Sequence, residues 1–374
     1  MRVVILGAGF GGLEVATRLS EALGETADVV LIDKSDGFVF GFSKLDVMFG
    51  RTTAAAVHNS YSRFVKPGVQ FVQSTIRSID PAAKRVETDA GTFDADILVV
   101  ALGADLHPEA TPGLVDGAHE FYTEAGAFGL RDVLDRFAGG RVVVGVTSTP
   151  FKCPPAPSEC ALLMDDLLVA RGLRATSSVD LVMPLPAPIP PSPAASAFLR
   201  EEFARRGIGW HPERLIRELD PARKVAVFSD GDEIGYDLFL GVPKHQVPAV
   251  VAESGLAEDG WVPVDPDTLE TRFAGVYAVG DVTSVGTPKA GVFAEGQAAV
   301  VAERIAQQVR GESVTATYGG RGTCYLQVGA DAVATVDVTF RPGVAPQGFF
   351  EEPTGDQLAQ KVEFGTSRVA RWFG

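Results

Sequence analysis

The first residues of the chain form a pattern that few folds can accommodate. A short run of apolar, strand-forming residues leads into a turn with the sequence GAGFGG (7–12), and an apolar helical repeat follows. In such a turn Gly7 permits the tight bend, Gly9 lets backbone amides approach a pyrophosphate, and Gly12 lets the helix pack closely on the strand. Asp33 ends the next apolar strand, where a carboxylate can accept a ribose hydroxyl. The pattern predicts a dinucleotide-binding fold, with either FAD or NAD as its ligand.

A second motif, near the end of the chain, favours FAD over NAD. Residues 271–281 (TRFAGVYAVGD) resemble the second flavin signature of flavoproteins with two dinucleotide folds, whose aspartate, here Asp281, bonds the ribityl chain. Residues 96–104 (DILVVALGA) resemble the strand-and-glycine motif that lies between the two signatures. Because all three motifs occur in the required order, we expect bound FAD.

The composition is typical of a globular enzyme. The chain has 374 residues, of which 46% are apolar, and this suffices for the cores of two or three domains. The net charge of −15, from 33 basic and 48 acidic residues, disfavours binding to nucleic acid or an anionic membrane through the overall field. The chain has no run of about twenty uncharged apolar residues. Its start runs straight into the first strand, so we expect no transmembrane span, no signal peptide and a cytoplasmic location.

The positions of the flavin motifs predict an FAD domain that is divided in sequence. Residues 1–105 hold its first half, and residues 255–310 hold its second half. Residues 106–254 then form an inserted domain, and residues 311–374 form a small C-terminal domain. The predicted fold class is α/β, with two Rossmann-like dinucleotide-binding folds.

The inserted domain begins like a second dinucleotide fold but lacks the residues that bind a nucleotide. A buried strand at 141–146, a helix at 158–171 and a strand at 179–183 follow in the expected order. Between the first strand and the helix, residues 145–155 read GVTSTPFKCPP, and prolines and large side chains there would block a pyrophosphate. Residues 184–193 (PLPAPIPPSP) offer no acid for a ribose and no base for a phosphate. Their prolines predict a stiff extended segment, as a crossover or as a binding surface. We therefore expect no NAD(P)H binding.

The three cysteines, Cys153, Cys160 and Cys324, are too few for a disulfide scaffold. Cys153 stands in place of the phosphate loop, beside Lys152 and near a helix start, and the glycines around Cys324 predict a flexible loop with Arg321 close by. Such surroundings lower the pKa of a thiol and favour the reactive thiolate. Two interpretations stay open: Cys153 and Cys324 form a redox pair, or all three cysteines are small buried apolar residues. For Cys160 we expect a buried structural role.

Four further segments carry the most specific signal. They are KCPPAPSE at 152–159, ESGL and GWVPVDPDTLET within 253–271, YAVGDV and TPKAGVFAEGQ within 277–297, and GTCY at 322–325. Together with the order of the flavin motifs, they resemble the sulfide:quinone oxidoreductases and the flavoprotein of flavocytochrome c sulfide dehydrogenase. The resemblance covers nearly the whole chain. That group lacks a functional nicotinamide site, in agreement with the residues above.

The resemblance implies redox chemistry at two cysteines beside the flavin. Cys153 and Cys324 match the pair that forms a redox-active disulfide in that group, which sulfide or a related small sulfur compound attacks. Electrons then pass through FAD to a quinone or another acceptor. Lys289 would lie near the flavin, at the start of a helix whose positive end favours anionic reduced flavin. Glu159, close in sequence to Cys153, is a candidate base for the incoming H–S group.

The motifs and the resemblance together define the expected site. We expect no metal and predict catalytic roles for Cys153, Cys324, Lys289 and Glu159. The predicted FAD contacts are Gly7, Gly9, Phe10, Gly11, Gly12, Asp33, Lys34, Ile76, Ala101, Gly103, Gly280, Asp281, Lys289, Ala290 and Val292.

The C-terminal tail leaves the electron acceptor open. Its aromatic pairs at 349–350 and 372–373 predict a small peripheral membrane anchor, a cover for the flavin cavity or a homodimer interface. The acceptor is therefore either a quinone or a soluble partner. Three rival functions also stay open: a type II NADH dehydrogenase or ferredoxin reductase, an oxidoreductase for an organic thiol or persulfide in a biosynthetic pathway, and a non-catalytic flavin-binding partner.

Overall fold

Two parallel sheets of five strands each carry the fold, which confirms the predicted α/β class. The computed structural model describes residues 1–374. Its first part contains β1 (Arg2–Leu6), α1 (Phe10–Leu23), β2 (Asp28–Asp33), β3 (Gly37–Val39), α2 (Ser43–Met48), α3 (Ala54–Val57), β4 (His58–Ser60), β5 (Val69–Gln73), β6 (Ile76–Asp80), β7 (Arg85–Thr88), β8 (Gly91–Asp94), β9 (Ile97–Val100) and β10 (Asp105–His107).

The middle and the end of the chain supply the remaining elements. The middle contains α4 (Leu114–Gly117), β11 (His119–Glu120), α5 (Glu124–Arg136), β12 (Arg141–Val146), α6 (Ala156–Ala170), β13 (Ser178–Val182), α7 (Pro193–Arg206), β14 (Gly209–His211), β15 (Ile216–Asp220), β16 (Val225–Phe228), β17 (Glu233–Gly235), β18 (Leu238–Val242), β19 (Lys244–Gln246) and α8 (Ala249–Glu253). The end contains β20 (Val276–Ala278), α9 (Gly291–Val309), β21 (Arg321–Gln327), β22 (Val333–Arg341), β23 (Val344–Thr354) and α10 (Gly355–Phe373).

The first sheet has the strand order β20-β9-β1-β2-β5, and all its neighbours are parallel. Alternate residues of a strand point to opposite faces. Ile5 of β1 therefore packs with residues of α1 and α9, whereas Val4 and Leu6 pack with the antiparallel sheet β6-β7-β8. β20 joins this sheet from the late part of the chain. The predicted domain boundaries themselves remain predictions.

The second sheet has the order β11-β18-β12-β13-β14, again with parallel neighbours. α6 covers it and is buried along most of its length, with Cys160, Ala161 and Leu162 fully buried. The strand that the sequence predicts at 141–146 coincides with β12, and the helix predicted from residue 158 starts at Ala156. β10 and β19 pair as a small antiparallel ribbon.

The sequence predicts a loop around Cys324, and this prediction is wrong. Cys324 lies within β21, which pairs with β22 over its full length. The glycines before it form the turn into the strand, since Gly320 has φ +70° and its missing Cβ would meet the Phe340 carbonyl oxygen at 1.8 Å. The residues that follow, Thr-Cys-Tyr-Leu, are suited to a strand.

The predicted stiff extended segment at 184–193 is also wrong, because the chain bends there. The cause is a local pair of hydrogen bonds with α7. The Ser196 hydroxyl donates to the Ile189 carbonyl at 2.7 Å and accepts from the Ile189 amide at 3.0 Å. These bonds turn the proline-rich segment back over the start of the helix.

The C-terminal helix α10 anchors its end in the core of the first sheet's domain. Trp372 is fully buried in an edge-to-face arrangement with Phe10 and Phe38, and its indole N–H donates to Glu14 at 3.0 Å. Arg371 adds an ion pair to Glu14 at 2.6 Å. The second aromatic pair of the tail is thus core rather than an exposed anchor. No helix has both the length and the apolar character needed to cross a membrane.

We expect Trp372→Ala to lower the free energy of unfolding by about 3–5 kcal/mol, because it leaves a large cavity and removes a bond to a buried carboxylate. Phe349→Ala is the matched control, since Phe349 is 65% exposed. Its effect should stay within about 0.5 kcal/mol. Urea unfolding of the two variants measures both values, and equal midpoints would contradict the assigned role of Trp372.

Candidate active site

The turn between β1 and α1 presents backbone amides to open space. Gly7 has φ +97°, and a Cβ at this position would lie 2.5 Å from the Ala101 carbonyl oxygen. A Cβ on Gly12 would lie 1.8 Å from the Gly7 carbonyl oxygen, so only glycine permits this approach of helix and strand. Over Gly9, by contrast, an added Cβ would meet nothing within 4 Å. Since α1 has no side-chain cap and no acid in its first turn, its positive end is free to bind an anion.

Asp33 is held at the edge of this turn. Its carboxylate accepts the Ala8 amide at 2.7 Å and the Ser35 amide at 2.8 Å. These two bonds fix the side chain beside the glycine turn and leave lone pairs for a further donor, such as a ribose hydroxyl. Gly103 also borders open space, because no atom lies within 4 Å of an added Cβ.

Asp281 is a desolvated carboxylate that makes no hydrogen bond within the chain. Burial raises its pKa, and the ammonium groups of Lys152, Lys289 and Lys44 oppose this rise. The residue is only partly shielded from solvent, so the carboxylate is free to accept a donor from a bound molecule. It therefore fits the position expected to bond the ribityl chain of FAD.

Lys289 lies beside Asp281 in a tightly bonded position. Its Nζ donates to the carbonyl oxygens of Asp281 at 2.8 Å and Thr283 at 2.9 Å, and it stands 3.2 Å from the ring centroid of Trp261. Burial lowers the pKa of Lys289 to about 8, and the charge of Asp281 opposes this. The residue after it, Ala290, is the N-cap of α9, whose first turn carries no acid. A positive helix end and a buried ammonium therefore lie together.

Cys153 is tied directly to this lysine. Its backbone amide donates to the Lys289 carbonyl at 2.6 Å, and Lys152 forms a parallel bridge with Lys289. The side chain of Cys153 remains accessible to solvent, yet it lies deep enough among protein atoms that desolvation raises its pKa well above the usual value. The charges of Glu159 and Cys324 raise this pKa further.

Cys324 and Glu159 complete the cluster. The β21 amide of Gln327 donates to the Glu159 carboxylate at 2.8 Å, and this bond holds α6 against the C-terminal sheet. Burial raises the pKa of Cys324 to about 12, and the charges of Glu159 and Asp337 add to the effect. Burial also raises the pKa of Glu159, which the Lys361 ammonium opposes. All three cysteines are free thiols in this structure.

The expectation that neighbouring cations lower the pKa of both thiols is wrong. The Lys152 ammonium bonds the Ala104 carbonyl at 2.8 Å, and Arg321 is exposed and paired with Asp337 at 2.8 Å. The cation that does lower the pKa of Cys153 is Lys44, from α2. Sequence reasoning missed Lys44, because it lies far from the cysteines in the chain and carries no motif.

The other predicted FAD contacts fall in two groups. The backbone at Gly11, Ala101, Ala290 and Val292 lies at the helix starts and strand ends that border the site. Four other predicted contacts have different surroundings in the structure. The Phe10 ring packs on Phe40, and the Gly280 amide donates to Gln297 at 2.7 Å. Lys34 is exposed, and Ile76 lies in β6 of the antiparallel sheet. The free helix amides, Asp33 and the unpartnered Asp281 fit FAD. All of these assignments remain predictions.

A cavity of about 750 Å³ opens on the other face of β21. It lies between this strand, the start of α9 and the helix α10. Thr323 and Tyr325 line it, so the cavity and Cys324 use opposite faces of the same strand. The rings of Tyr325 and Phe364 stand 5.5 Å apart on its wall. The cavity thus offers two aromatic surfaces close to the start of α9.

Two dinucleotide-type folds, of which the first has the glycine turn, define a flavoprotein oxidoreductase. The family model of the pyridine nucleotide-disulphide oxidoreductases matches residues 1–306, and the chain belongs to this family. It is an FAD-dependent oxidoreductase, and the predicted resemblance to the sulfide:quinone oxidoreductase group is confirmed.

Several proteins that are similar to this chain are named quinone oxidoreductases. The mitochondrial sulfide:quinone oxidoreductase of Mus musculus is 25% identical over 91% of this chain and 79% of its own length. The Dictyostelium discoideum enzyme of the same name is 25% identical over 86% and 74%. The sulfide:quinone oxidoreductase structure from Aquifex aeolicus superposes with a TM-score of 0.89 at 21% identity, covering 100% of this chain and 91% of that one. A type II NADH:quinone oxidoreductase of Staphylococcus saprophyticus is 35% identical, but over only 37% of this chain and 35% of its own.

We expect Asp281→Ala to lose most of its FAD, since a charge-assisted hydrogen bond of about 1.5–3 kcal/mol corresponds to roughly 10- to 100-fold in affinity. Asp281→Asn, which keeps an acceptor of the same shape, should retain more flavin. The ratio of flavin to protein absorbance after gel filtration measures occupancy. Full occupancy in Asp281→Ala would show that this carboxylate does not hold the cofactor.

Proposed function

We propose that the protein oxidises sulfide through a redox disulfide between Cys153 and Cys324 and passes the electrons through FAD to a quinone or another acceptor. The observation that supports this most is the hydrogen bond from the Cys153 amide to the Lys289 carbonyl. It joins the cysteine segment to the segment that borders the predicted flavin site. The charge of Cys324 also raises the pKa of Cys153, which supports the pairing that the resemblance implies.

The cysteine chemistry can be written as a balanced exchange. Hydrosulfide sulfur attacks one sulfur of the disulfide, a new S–S bond forms as a persulfide, and the other cysteine leaves as a thiolate with the electron pair of the broken bond. A second hydrosulfide then attacks the outer sulfur of the persulfide, takes it away as HSS⁻ and frees the first cysteine as a thiol. FAD, when bound, would accept the two electrons released as the two cysteines return to the disulfide. The exchange balances in the same way whether hydrosulfide attacks Cys153 or Cys324.

Three lysines give the site a positive field. Lys44 and Lys289 both have a pKa lowered to about 8 by burial, and burial also lowers the pKa of Lys152. The carboxylates of Glu120, Glu124 and Asp281 favour their charged forms. Ammonium groups in a partly dry site attract a small anion such as hydrosulfide more strongly than exposed ones do.

Glu159 is the proposed proton acceptor of the cluster when the substrate arrives as H₂S, from which it would take one proton to give hydrosulfide. It is 3% exposed, and its charge raises the pKa of Cys153, Cys160 and Cys324 alike. Protonation of this carboxylate would lower the pKa of the thiols around it, so a proton gained by Glu159 favours a leaving thiolate. Lys361, whose Nζ donates to the Gln327 amide oxygen at 2.5 Å, closes the network from α10.

The cavity behind β21 is the proposed place of the electron acceptor. Its aromatic wall, formed by Tyr325 and Phe364, suits a planar ring such as a quinone. Val292 of α9 lines the same space, which keeps an occupant close to the predicted flavin. Contact with a membrane surface and a homodimer stay predictions of the sequence.

We expect Cys153→Ser and Cys324→Ser each to reduce flavin reduction by sulfide to the background rate while FAD stays bound, because a disulfide needs both partners. Cys160→Ser is the control: it should keep the activity and lose about 1–3 kcal/mol of stability, as the new hydroxyl is buried in an apolar core. Anaerobic stopped-flow absorbance measures all three. Normal reduction in either of the first two variants would refute the disulfide mechanism.

A type II NADH dehydrogenase is the second candidate, favoured by the partial similarity to such enzymes. Several features of the second sheet oppose it. Nine residues separate the end of β12 from the start of α6. The N-cap of α6 is Pro155, Pro157 lacks an amide proton, and Glu159 puts an acid in the first turn. Such a helix end binds a phosphate poorly. We therefore expect NADH not to bleach the flavin under anaerobic conditions where sulfide does, and rapid bleaching by NADH would establish the alternative.

A further inference from the structure

Two buried polar atoms near Cys153 have no partner. The His245 ring is 2% exposed, and its Nδ1 lies 2.8 Å from the Pro243 carbonyl oxygen. A carbonyl oxygen only accepts, so Nδ1 carries the proton and the neutral ring presents a bare lone pair at Nε2. Nε2 is buried without any hydrogen-bond partner. The hydroxyl of Tyr122 is also buried without a partner.

These two side chains lie together. The rings of Tyr122 and His245 are 5.2 Å apart between centroids and meet edge to face at 79°. Their positions are fixed by the backbone: the Tyr122 amide donates to Glu120 at 2.6 Å, and β19 holds His245 against β10. One group can only accept a hydrogen bond and the other can donate one. Each orphaned group costs about 1–3 kcal/mol unless a bound molecule satisfies it.

Tyr122 is linked to the Cys153 segment through Lys44. The Tyr122 carbonyl oxygen accepts from Lys44 at 2.6 Å, and Lys44 is the cation that lowers the pKa of Cys153. Charges on Cys153 and Cys160 act on the Tyr122 hydroxyl.

Lysines near Cys153 also act on His245. Burial lowers its pKa to about 3, and Lys152, Lys289 and His107 add to the effect, so the ring is neutral near pH 7. Lys152 precedes Cys153, and the Lys289 carbonyl bonds the Cys153 amide. The site therefore combines positive charge, a neutral acceptor and a hydroxyl donor.

We propose that His245 and Tyr122 select hydrosulfide over organic thiolates: Nε2 accepts the S–H of HS⁻, and the Tyr122 hydroxyl donates to its sulfur. This inference rests on the proposed function and names its substrate. Hydrosulfide is an anion that still carries one S–H group. An organic thiolate carries none, so it leaves Nε2 buried and unpaired and is disfavoured in the way that sites built around a hydrogen bond reject analogues that lack it.

The same contacts are compatible with the sulfur exchange. When hydrosulfide attacks the disulfide, the proton stays on its sulfur, which becomes the terminal S–H of the persulfide, and the other cysteine departs as the thiolate. Nε2 can keep its bond to this S–H group throughout. No further oxidant or reductant is needed for this step.

The experiment compares sodium sulfide with cysteine and glutathione as reductants of the flavin. We expect His245→Phe and Tyr122→Phe each to raise the sulfide concentration that gives half the maximal rate of flavin reduction by about 10-fold, because each variant loses one hydrogen bond to the substrate. The rates of flavin reduction by cysteine and glutathione should stay the same or increase. His245→Gln, which restores an acceptor oxygen, should recover most of the preference. Tyr236→Phe is the matched control, because the Tyr236 hydroxyl is also buried without a partner but packs in another apolar cluster, with Phe239.

A second readout does not depend on turnover of the flavin. After FAD is removed from the oxidised protein, mass spectrometry should detect the added sulfur atom on a cysteine at lower sulfide concentrations in the wild type than in His245→Phe. Equal losses for sulfide and thiols, or a Tyr236→Phe effect as large as that of Tyr122→Phe, would overturn the inference. Wild-type protein that sulfide does not reduce at all would instead refute the proposed function.

Discussion

The site depends on one backbone hydrogen bond, from the Cys153 amide to the Lys289 carbonyl. Lys289 stands just before α9, which packs on the first sheet, whereas Cys153 stands just before α6, which packs on the second. A bond between the two loops therefore fixes the relation of two separately built folds. Cys153 adopts φ +48°, a conformation that non-glycine residues rarely take without such support.

A second consequence is the concentration of buried charge. The three ammonium groups act on the Asp281 carboxylate, Glu159 acts on the Cys153 thiol, and burial shifts the pKa of each of these lysines and carboxylates toward its neutral form. Such an arrangement is expensive for stability and is found where chemistry needs it. The core clusters on both sheets, which are almost wholly apolar, supply the stability that this site does not.

The sequence predicts the elements better than the site. The turn before α1, the strand β12 and the helix starting after Lys289 follow from local patterns, since glycine turns and apolar repeats act within a few residues. The strand at Cys324 could not be predicted from the sequence, because the glycines that form the turn before it are also typical of a flexible loop. Lys44, Tyr122 and His245 carry no motif, and only the packing of distant elements brings them to Cys153.

The C-terminal part supplies the second cysteine of the proposed pair. β21 presents Cys324 on one face and the cavity residues Thr323 and Tyr325 on the other, so in the proposed function one strand separates the cysteines from the place of the electron acceptor. α10 holds this strand through Lys361 and buries its own end, at Trp372, against the helix that follows the glycine turn. The last helix therefore links the strand that carries Cys324 to the proposed cofactor cradle.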